Sequence, residues 1–202
     1  MSLKHKRKLA ALPKVVPGIK LNLGCGPHRM EGFLGVDIRK TEAVDVVLNL
    51  GRERWPWKDN SVEVAFCSHM VEHLEPEERI HFSNELWRVL VPGEWKDGQP
   101  YRGFCRVIVP DFSSTRAYGD LTHKWPPVSD MWFYYLSAEW RKSQAPHNDA
   151  YTCDFDVRWI HTLHPELAAR NEEYKANAIK WWKNAAMDID SHWFKKIPNG
   201  QK

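Results

Sequence analysis

The residues best suited to chemistry sit in four short runs of this 202-residue chain. Gly24-Cys25-Gly26 follows Leu21-Asn22-Leu23, and Asp37 sits inside Gly35-Val36-Asp37-Ile38. Asn49-Leu50 closes the run from Val44 to Leu48. Ser68-His69 closes the run that begins at Val62, with Glu72 and His73 just beyond. A glycine pair lets backbone come close to a ligand, because glycine has no Cβ and accepts positive φ. A carboxylate such as Asp37 can accept from both hydroxyls of a ribose diol. His69, Glu72 and His73 offer imidazoles and a carboxylate, the groups that take a proton from a nucleophile. Such a set implies a nucleoside-type ligand beside a place where a proton can move.

Strands must deliver these residues. Short β-branched runs bounded by turn residues predict strands at 19–23, 33–38, 44–48, 62–68 and 105–109. A helix is expected over 76–91, opened by Pro76 with Glu77 and Glu78 in its first turn and stopped by Pro92-Gly93. Its Phe82, Leu86, Val89 and Leu90 recur at helical spacing and should face the sheet. Strands alternating with helices indicate an α/β fold with a doubly wound, mostly parallel sheet. In such a sheet the strands' carboxyl ends share one rim, so the four runs meet around one crevice.

Beyond Asp111 the pattern changes. Seven of the eleven tryptophans follow Pro110. The spacing predicts a helix at 129–141, a strand or hairpin at 151–163 and a helix at 164–187. The last carries Leu167, Tyr174, Ala178, Trp181 and Ala185 as one stripe, read as core packing. The expected layout is a basic tail and linker (1–17), an α/β core (18–111) and a helix-rich, sheet-completing or lid-forming part of the same domain (112–202).

The bulk composition narrows the function classes. Hydrophobic residues make up 43% and the net charge is +3, which fits a globular domain without a strong charge bias. No 18-residue apolar stretch exists, so no membrane span is expected. Cys25, Cys67, Cys105 and Cys153 lack C-x-x-C spacing, which points away from structural zinc and disulfides and toward a reducing cytoplasm. Cys153, His161 and His164 have no supporting metal motif, and no metal site is expected. The run Lys4-His5-Lys6-Arg7-Lys8 reads as a frayed tail or as an arm making weak nucleic-acid contact.

The motifs, taken in order, resemble class I S-adenosylmethionine-dependent methyltransferases of the small type with a single Rossmann-like domain. The matching segments are Leu-Asn-Leu-Gly-Cys-Gly (21–26), Gly-Val-Asp-Ile (35–38) and Val-Asp-Val-Val-Leu-Asn-Leu (44–50). Trp-Pro-Trp-Lys-Asp-Asn-Ser-Val-Glu-Val (55–64), His-Met-Val-Glu-His-Leu (69–74) and Glu-Leu-Trp-Arg-Val-Leu-Val-Pro-Gly (85–93) follow. Cys-Asp-Phe-Asp (153–156) and His-Pro-Glu-Leu (164–167) are similar to small methyltransferases encoded by tailed phages.

The resemblance implies S-adenosylmethionine as cofactor. Leu23, Gly24, Cys25 and Gly26 would approach its methionine and ribose parts, and Asp37 would hold the ribose hydroxyls. Ile38 would pack on the adenine, with Asn49 and Leu50 at its edge. Ser68 and His69 would border the methionine moiety. His69, Glu72 and His73 would be the candidates for catalysis, with His69 lining the methyl channel.

Two departures sharpen this reading. The third glycine of a dinucleotide fingerprint is absent, since His28 and Arg29 follow Pro27, and Asp37 comes only 11 residues after Gly26. The first helix must then be very short or a loop, which disfavours an NAD(P)-binding oxidoreductase. Asn49 stands where the family often has an acid. The segment 94–103 replaces a usual tight turn and is expected to be a mobile loop that could help shape the substrate mouth. The methyl acceptor is open among a small molecule, a sugar, a protein or a nucleic acid. A methyltransferase-like binding module without turnover and the disfavoured NAD(P)-binding oxidoreductase are the alternatives.

Overall fold

The computed structural model describes residues 18–196; the basic run at 4–8 lies outside them. Strands β1 (Ile19–Leu23), β2 (Leu34–Asp37), β3 (Val46–Val47) and β4 (Val62–Ser68) come first, then helix α1 (Pro76–Val89). A hairpin, β5 (Glu94–Lys96) with β6 (Gln99–Arg102), precedes β7 (Phe104–Pro110). Short helices α2 (Arg116–Gly119), α3 (Met131–Tyr135) and α4 (Ala138–Gln144) lead to β8 (Phe155–Leu163), α5 (Glu172–Trp181) and β9 (Ala186–Lys195).

Seven strands form one sheet in the order β3-β2-β1-β4-β7-β9-β8. The pairings from β3 through β7 are parallel, and β9 is antiparallel to both of its neighbours. The carboxyl ends of β1, β2, β3 and β4 therefore share one rim. This is the expected mostly parallel α/β sheet. Between β1 and β2 the chain makes turns instead of a helix, as the short spacing requires.

Helix α1 starts on a reciprocal cap. The Glu75 N–H donates to the Glu78 carboxylate at 2.9 Å, and Pro76 occupies the first turn. Its Phe82, Leu86 and Val89 are fully buried against the sheet, and so is the extended Leu90. The helix stops two residues short of the predicted end. Val91 precedes a proline, which disfavours helical backbone, and Leu90 already bridges to Val62.

The C-terminal part differs more. The predicted helix at 129–141 is broken into α3 and α4 at Leu136, with the Ser137 hydroxyl capping α4. Segment 151–163 contains one nine-residue strand. The predicted helix at 164–187 is a 3-10 turn at Pro165–Leu167, then α5, which Asn171 restarts by capping the Tyr174 N–H at 2.8 Å. Strand β9 was not expected, because Asp188, Ser191 and Lys195 interrupt its apolar alternation. All three are buried with partners: Ser191 donates to the Val107 carbonyl at 2.9 Å, and Asp188 pairs with Arg116 at 2.6 Å. Lys195 donates to the Asn60 amide oxygen at 2.5 Å. Arg106 fixes β9 beside β7 through a two-pronged pair with Asp190 at 2.9 and 2.6 Å.

The stripe on 164–187 is core only in part. Leu167, Ala178 and Ala185 are buried together, while Trp181 and Tyr174 are exposed. Trp193 is the centre of the aromatic core, with Phe82, Trp132, Phe133 and Phe155 around it at ring-centroid distances of 5.2–6.3 Å. The segment 94–103 is the β5–β6 hairpin. It adjoins the amino end of β7, opposite the rim, and Trp95 packs on Phe194 at 4.6 Å. It does not shape the mouth of the crevice. Among the described residues no helix is long and apolar enough to cross a membrane.

Candidate functional site

The rim holds a crevice of about 430 Å³, within the range of small-ligand pockets. Gly24, Asp37 and Ile38 come to it from the ends of β1 and β2; Leu48, Asn49, Leu50 and Arg52 come from the stretch after β3. Met70, His73, Leu74 and Glu78 close it from the turn after β4 and the start of α1.

Gly24 is required for two reasons. Its φ is +68°, and a Cβ there would lie 2.3 Å from Met70 Cγ. The Gly24 N–H donates to the Val36 carbonyl at 2.8 Å, so the turn is pinned to β2. The same turn clamps the carboxylate that ends β2. The Gly26 N–H donates to Asp37 Oδ2 and the Arg39 N–H to Oδ1, both at 2.9 Å. A carboxylate has about four lone-pair sites, so each oxygen keeps one to offer. Next to it Ile38 is 60% exposed, an apolar surface left bare at the crevice wall. Asn49 turns its Oδ1 to the Gly51 N–H at 3.1 Å. Arg52 and Glu78 form an ion pair on the crevice lining.

His69 ends β4 with φ +54°, a backbone conformation disfavoured for a residue with a Cβ. Its N–H donates to the Ile108 carbonyl at 2.9 Å, which holds the bend. The bend leads into a 3-10 turn, Val71–His73. Glu72 is 4% exposed, and its Oε1 lies 3.3 Å from His69 Nδ1. His73 reaches the crevice lining, and its Nδ1 lies 2.9 Å from the Thr122 hydroxyl.

Of the residues singled out in the sequence, Gly24, Asp37, Ile38, Asn49, Leu50 and His73 line the crevice. Leu23 and Cys25 are buried, and neither they nor Gly26, Ser68, His69 and Glu72 are among its lining residues. Burial, and then the Asp37 charge, push the Cys25 thiol up, and burial pushes Cys67 well up, so neither is a ready thiolate. Leu48, Arg52, Met70, Leu74 and Glu78 were missed. Only Met70 carried a signal, its place directly after His69. Cys153, His161 and His164 do not come together as a donor group. Cys153 is fully buried, His161 pairs with Asp111 at 3.0 Å, and His164 caps the Glu166 N–H.

Comparison with known proteins fits this geometry. Residues 33–95 match a family model described as a methyltransferase domain. No curated protein matches the sequence. An S-adenosylmethionine-dependent methyltransferase from Archaeoglobus fulgidus is 16% identical, with 88% of this chain and 86% of that one covered and a TM-score of 0.59. A Thermotoga maritima methyltransferase, possibly acting on histamine, is 16% identical, with 91% and 84% covered and a TM-score of 0.53. The Burkholderia thailandensis 1,6-didemethyltoxoflavin N1-methyltransferase, crystallised with S-adenosylhomocysteine, is 11% identical, with 90% and 72% covered and a TM-score of 0.51. Residues 33–95 thus resemble a methyltransferase domain, and the chain shares the fold of S-adenosylmethionine-dependent methyltransferases.

Proposed function

We propose that the chain transfers a methyl group from S-adenosylmethionine, bound in the crevice at the carboxyl ends of β1, β2 and β3, to an acceptor that approaches from the side of His69. The observation that carries this is the Asp37 carboxylate, held by two backbone N–H groups with one lone pair free on each oxygen, beside the bare Ile38. In this reading Asp37 accepts from both ribose hydroxyls and Ile38 lies against the adenine. Asn49 and Leu50 meet the adenine edge. The positive-φ turn at Gly24 lets backbone approach the methionine part, with Leu23, Cys25 and Gly26 holding that turn and Ser68 bordering it.

The transfer is an in-line displacement. A lone pair on the acceptor bonds the methyl carbon while the carbon–sulfur bond breaks. Its electron pair goes to sulfur, and adenosylhomocysteine leaves. Alignment of the two reactants can supply several kcal/mol, up to ~7–11. An acceptor that loses a proton needs a base, and His69 is placed for that role. Glu72 is too buried to meet a substrate directly and acts through His69, which it orients from Oε1 at 3.3 Å. The four cysteines are free thiols, which supports a reducing, cytoplasmic setting. Residues 18–111 would hold the cofactor, and the later part of the same domain would complete the sheet.

Calorimetric titration with adenosylhomocysteine tests the reading. Saturable one-to-one binding that NAD does not displace is expected. No binding at millimolar ligand, or tighter binding of NAD, would overturn it.

A further inference from the structure

Beside the crevice, Glu72, His73 and His123 each bring one donor atom to within 4.8 Å of the others. The first two sit on the turn after β4, and His123 comes from the segment before α3. That segment is tied down. The Lys124 N–H donates to the Glu72 carbonyl at 2.8 Å, and Lys124 Nζ pairs with Glu75 at 2.8 Å. The buried Arg79 guanidinium donates to the Leu74, Lys124 and Pro126 carbonyls at 2.9, 3.0 and 2.6 Å. The three donors are therefore held in place before any ligand arrives.

The hydrogen bonds assign each donor's free lone pair. His123 Nδ1 lies 3.1 Å from the Ala117 carbonyl, which only accepts, so Nδ1 carries the proton and Nε2 keeps its lone pair. The Thr122 hydroxyl donates to Asp120 at 2.7 Å, so its oxygen accepts from His73 Nδ1 at 2.9 Å, and His73 Nε2 is likewise free. An N–H anchored on a carbonyl, or on a hydroxyl backed by a carboxylate, is how ligating histidines are oriented. The nearest competing partner of His123 Nε2 is an Asp120 oxygen at 3.9 Å, too far for a hydrogen bond. Glu72 adds an independent sign: its Oε2 is buried with no hydrogen-bond partner. A buried, unpaired carboxylate oxygen is costly unless a cation satisfies it.

We infer that Glu72, His73 and His123 bind a divalent transition-metal ion at the crevice wall. Two imidazoles and one carboxylate suit zinc, manganese, iron or cobalt, whereas magnesium prefers oxygen donors. Three protein ligands leave an open position, as in catalytic metal sites. Because His73 also lines the crevice, that position is suited to an oxygen of the methyl acceptor, whose proton affinity the ion would lower. This role rests on the methyltransferase reading; the ion site does not.

The test uses the full chain, stripped with a chelator and titrated with Co²⁺ while its visible absorption is followed. One equivalent should bind, Zn²⁺ should displace it and Mg²⁺ should not. Glu72→Gln and His123→Asn should each weaken Co²⁺ binding at least tenfold. His123→Asn lies outside the crevice lining and should bind adenosylhomocysteine as the wild type does, which shows that it is folded. Acetohydroxamate, a small oxygen chelator, should alter the Co²⁺ spectrum if a position is open, and an unchanged spectrum refutes the acceptor role. Absence of stoichiometric Co²⁺ binding, or binding that both variants leave intact, overturns the site. Co²⁺ binding without adenosylhomocysteine binding would sink the methyltransferase reading and leave the ion site standing.

Discussion

Replacing Asp37 with alanine should cost the protein most of its affinity for adenosylhomocysteine. Each carboxylate oxygen already accepts one backbone N–H at 2.9 Å, from Gly26 and from Arg39, and has one position left for a ribose hydroxyl. Hydrogen bonds to a charged group are worth about 1.5–3 kcal/mol each. Two are lost, and water entering the gap repays part of them. A net loss of about 2–4 kcal/mol remains, and the floor is tenfold in Kd, or about 1.4 kcal/mol. The Gly26 N–H also loses its acceptor, so the turn after β1 loosens and the true loss should sit above that floor. Asp37→Asn separates these effects. Its amide oxygen can still take one N–H, but its NH₂ group faces a second donor, so its affinity should fall between wild type and alanine. Calorimetry at one salt concentration, with circular dichroism to confirm folding, reads all three proteins. A folded Asp37→Ala protein with unchanged affinity would refute the ribose assignment.

Other outcomes follow from the same geometry. Gly24→Ala must place a Cβ 2.3 Å from Met70 Cγ on backbone with φ +68°, so adenosylhomocysteine titration should show binding lost, or reduced more than tenfold; unchanged Kd would mean the turn does not meet the ligand. Trp193→Ala removes a fully buried ring from the aromatic core and should lower urea-unfolding stability by ~3–5 kcal/mol; a loss under ~1 kcal/mol would contradict that packing. The partly buried His161 and the buried Asp111 form a pair at 3.0 Å, with stability consequences at both ends of the pH range. The Asp111 hydrogen bond holds the His161 pKa above its ordinary 6.5 against burial. Its contribution is complete below pH 6.5 and is lost as pH rises through the raised value. Burial works to raise Asp111, but the hydrogen bonds from His161 and Ser113 prevail and hold it below 3.8, so its contribution is lost only as pH falls through that lowered value. His161→Gln should therefore cost more stability at about pH 5.5 than at about pH 8, and an equal or reversed cost by chemical denaturation would dismiss the pair.

The parallel half of the fold was legible because each strand there announces itself locally. The runs at 19–23 and 62–68 are apolar, short and bounded by turns, and buried parallel strands need nothing more. In the antiparallel half β8 falls within the strand or hairpin expected at 151–163, but β9 was not legible, for one physical reason. Polar residues in β9 are buried because they have partners on other elements: Ser191 on Val107, Asp188 on Arg116, Lys195 on Asn60. Period-two alternation reports contact with water. Where hydrogen bonds and ion pairs replace water, the pattern vanishes although the strand does not.

The site divides along the same line. Asp37 and Gly24 were readable because their meaning depends on neighbours a few residues away: a strand, its end, a turn. The pairing of Glu72 and His73 with His123 depends on a segment some fifty positions further on. It is brought back by the Lys124 contacts to Glu72 and Glu75 and by the buried Arg79, which donates to the Leu74, Lys124 and Pro126 carbonyls. Arg79 in the sequence is one more charge on an amphipathic helix, and nothing in its type or spacing says that it faces inward. Its burial helps hold the far loop beside the turn after β4. Shortening that side chain should then move His123 away from Glu72 without touching either residue, so Arg79→Lys should weaken Co²⁺ binding. A lysine supplies one ammonium where the fork reached four carbonyls, that of Glu72 at 3.4 Å included. If Arg79→Lys bound the ion as tightly as the wild type, the loop would be held by the Lys124 contacts alone, and the arginine would be a buried ornament of α1.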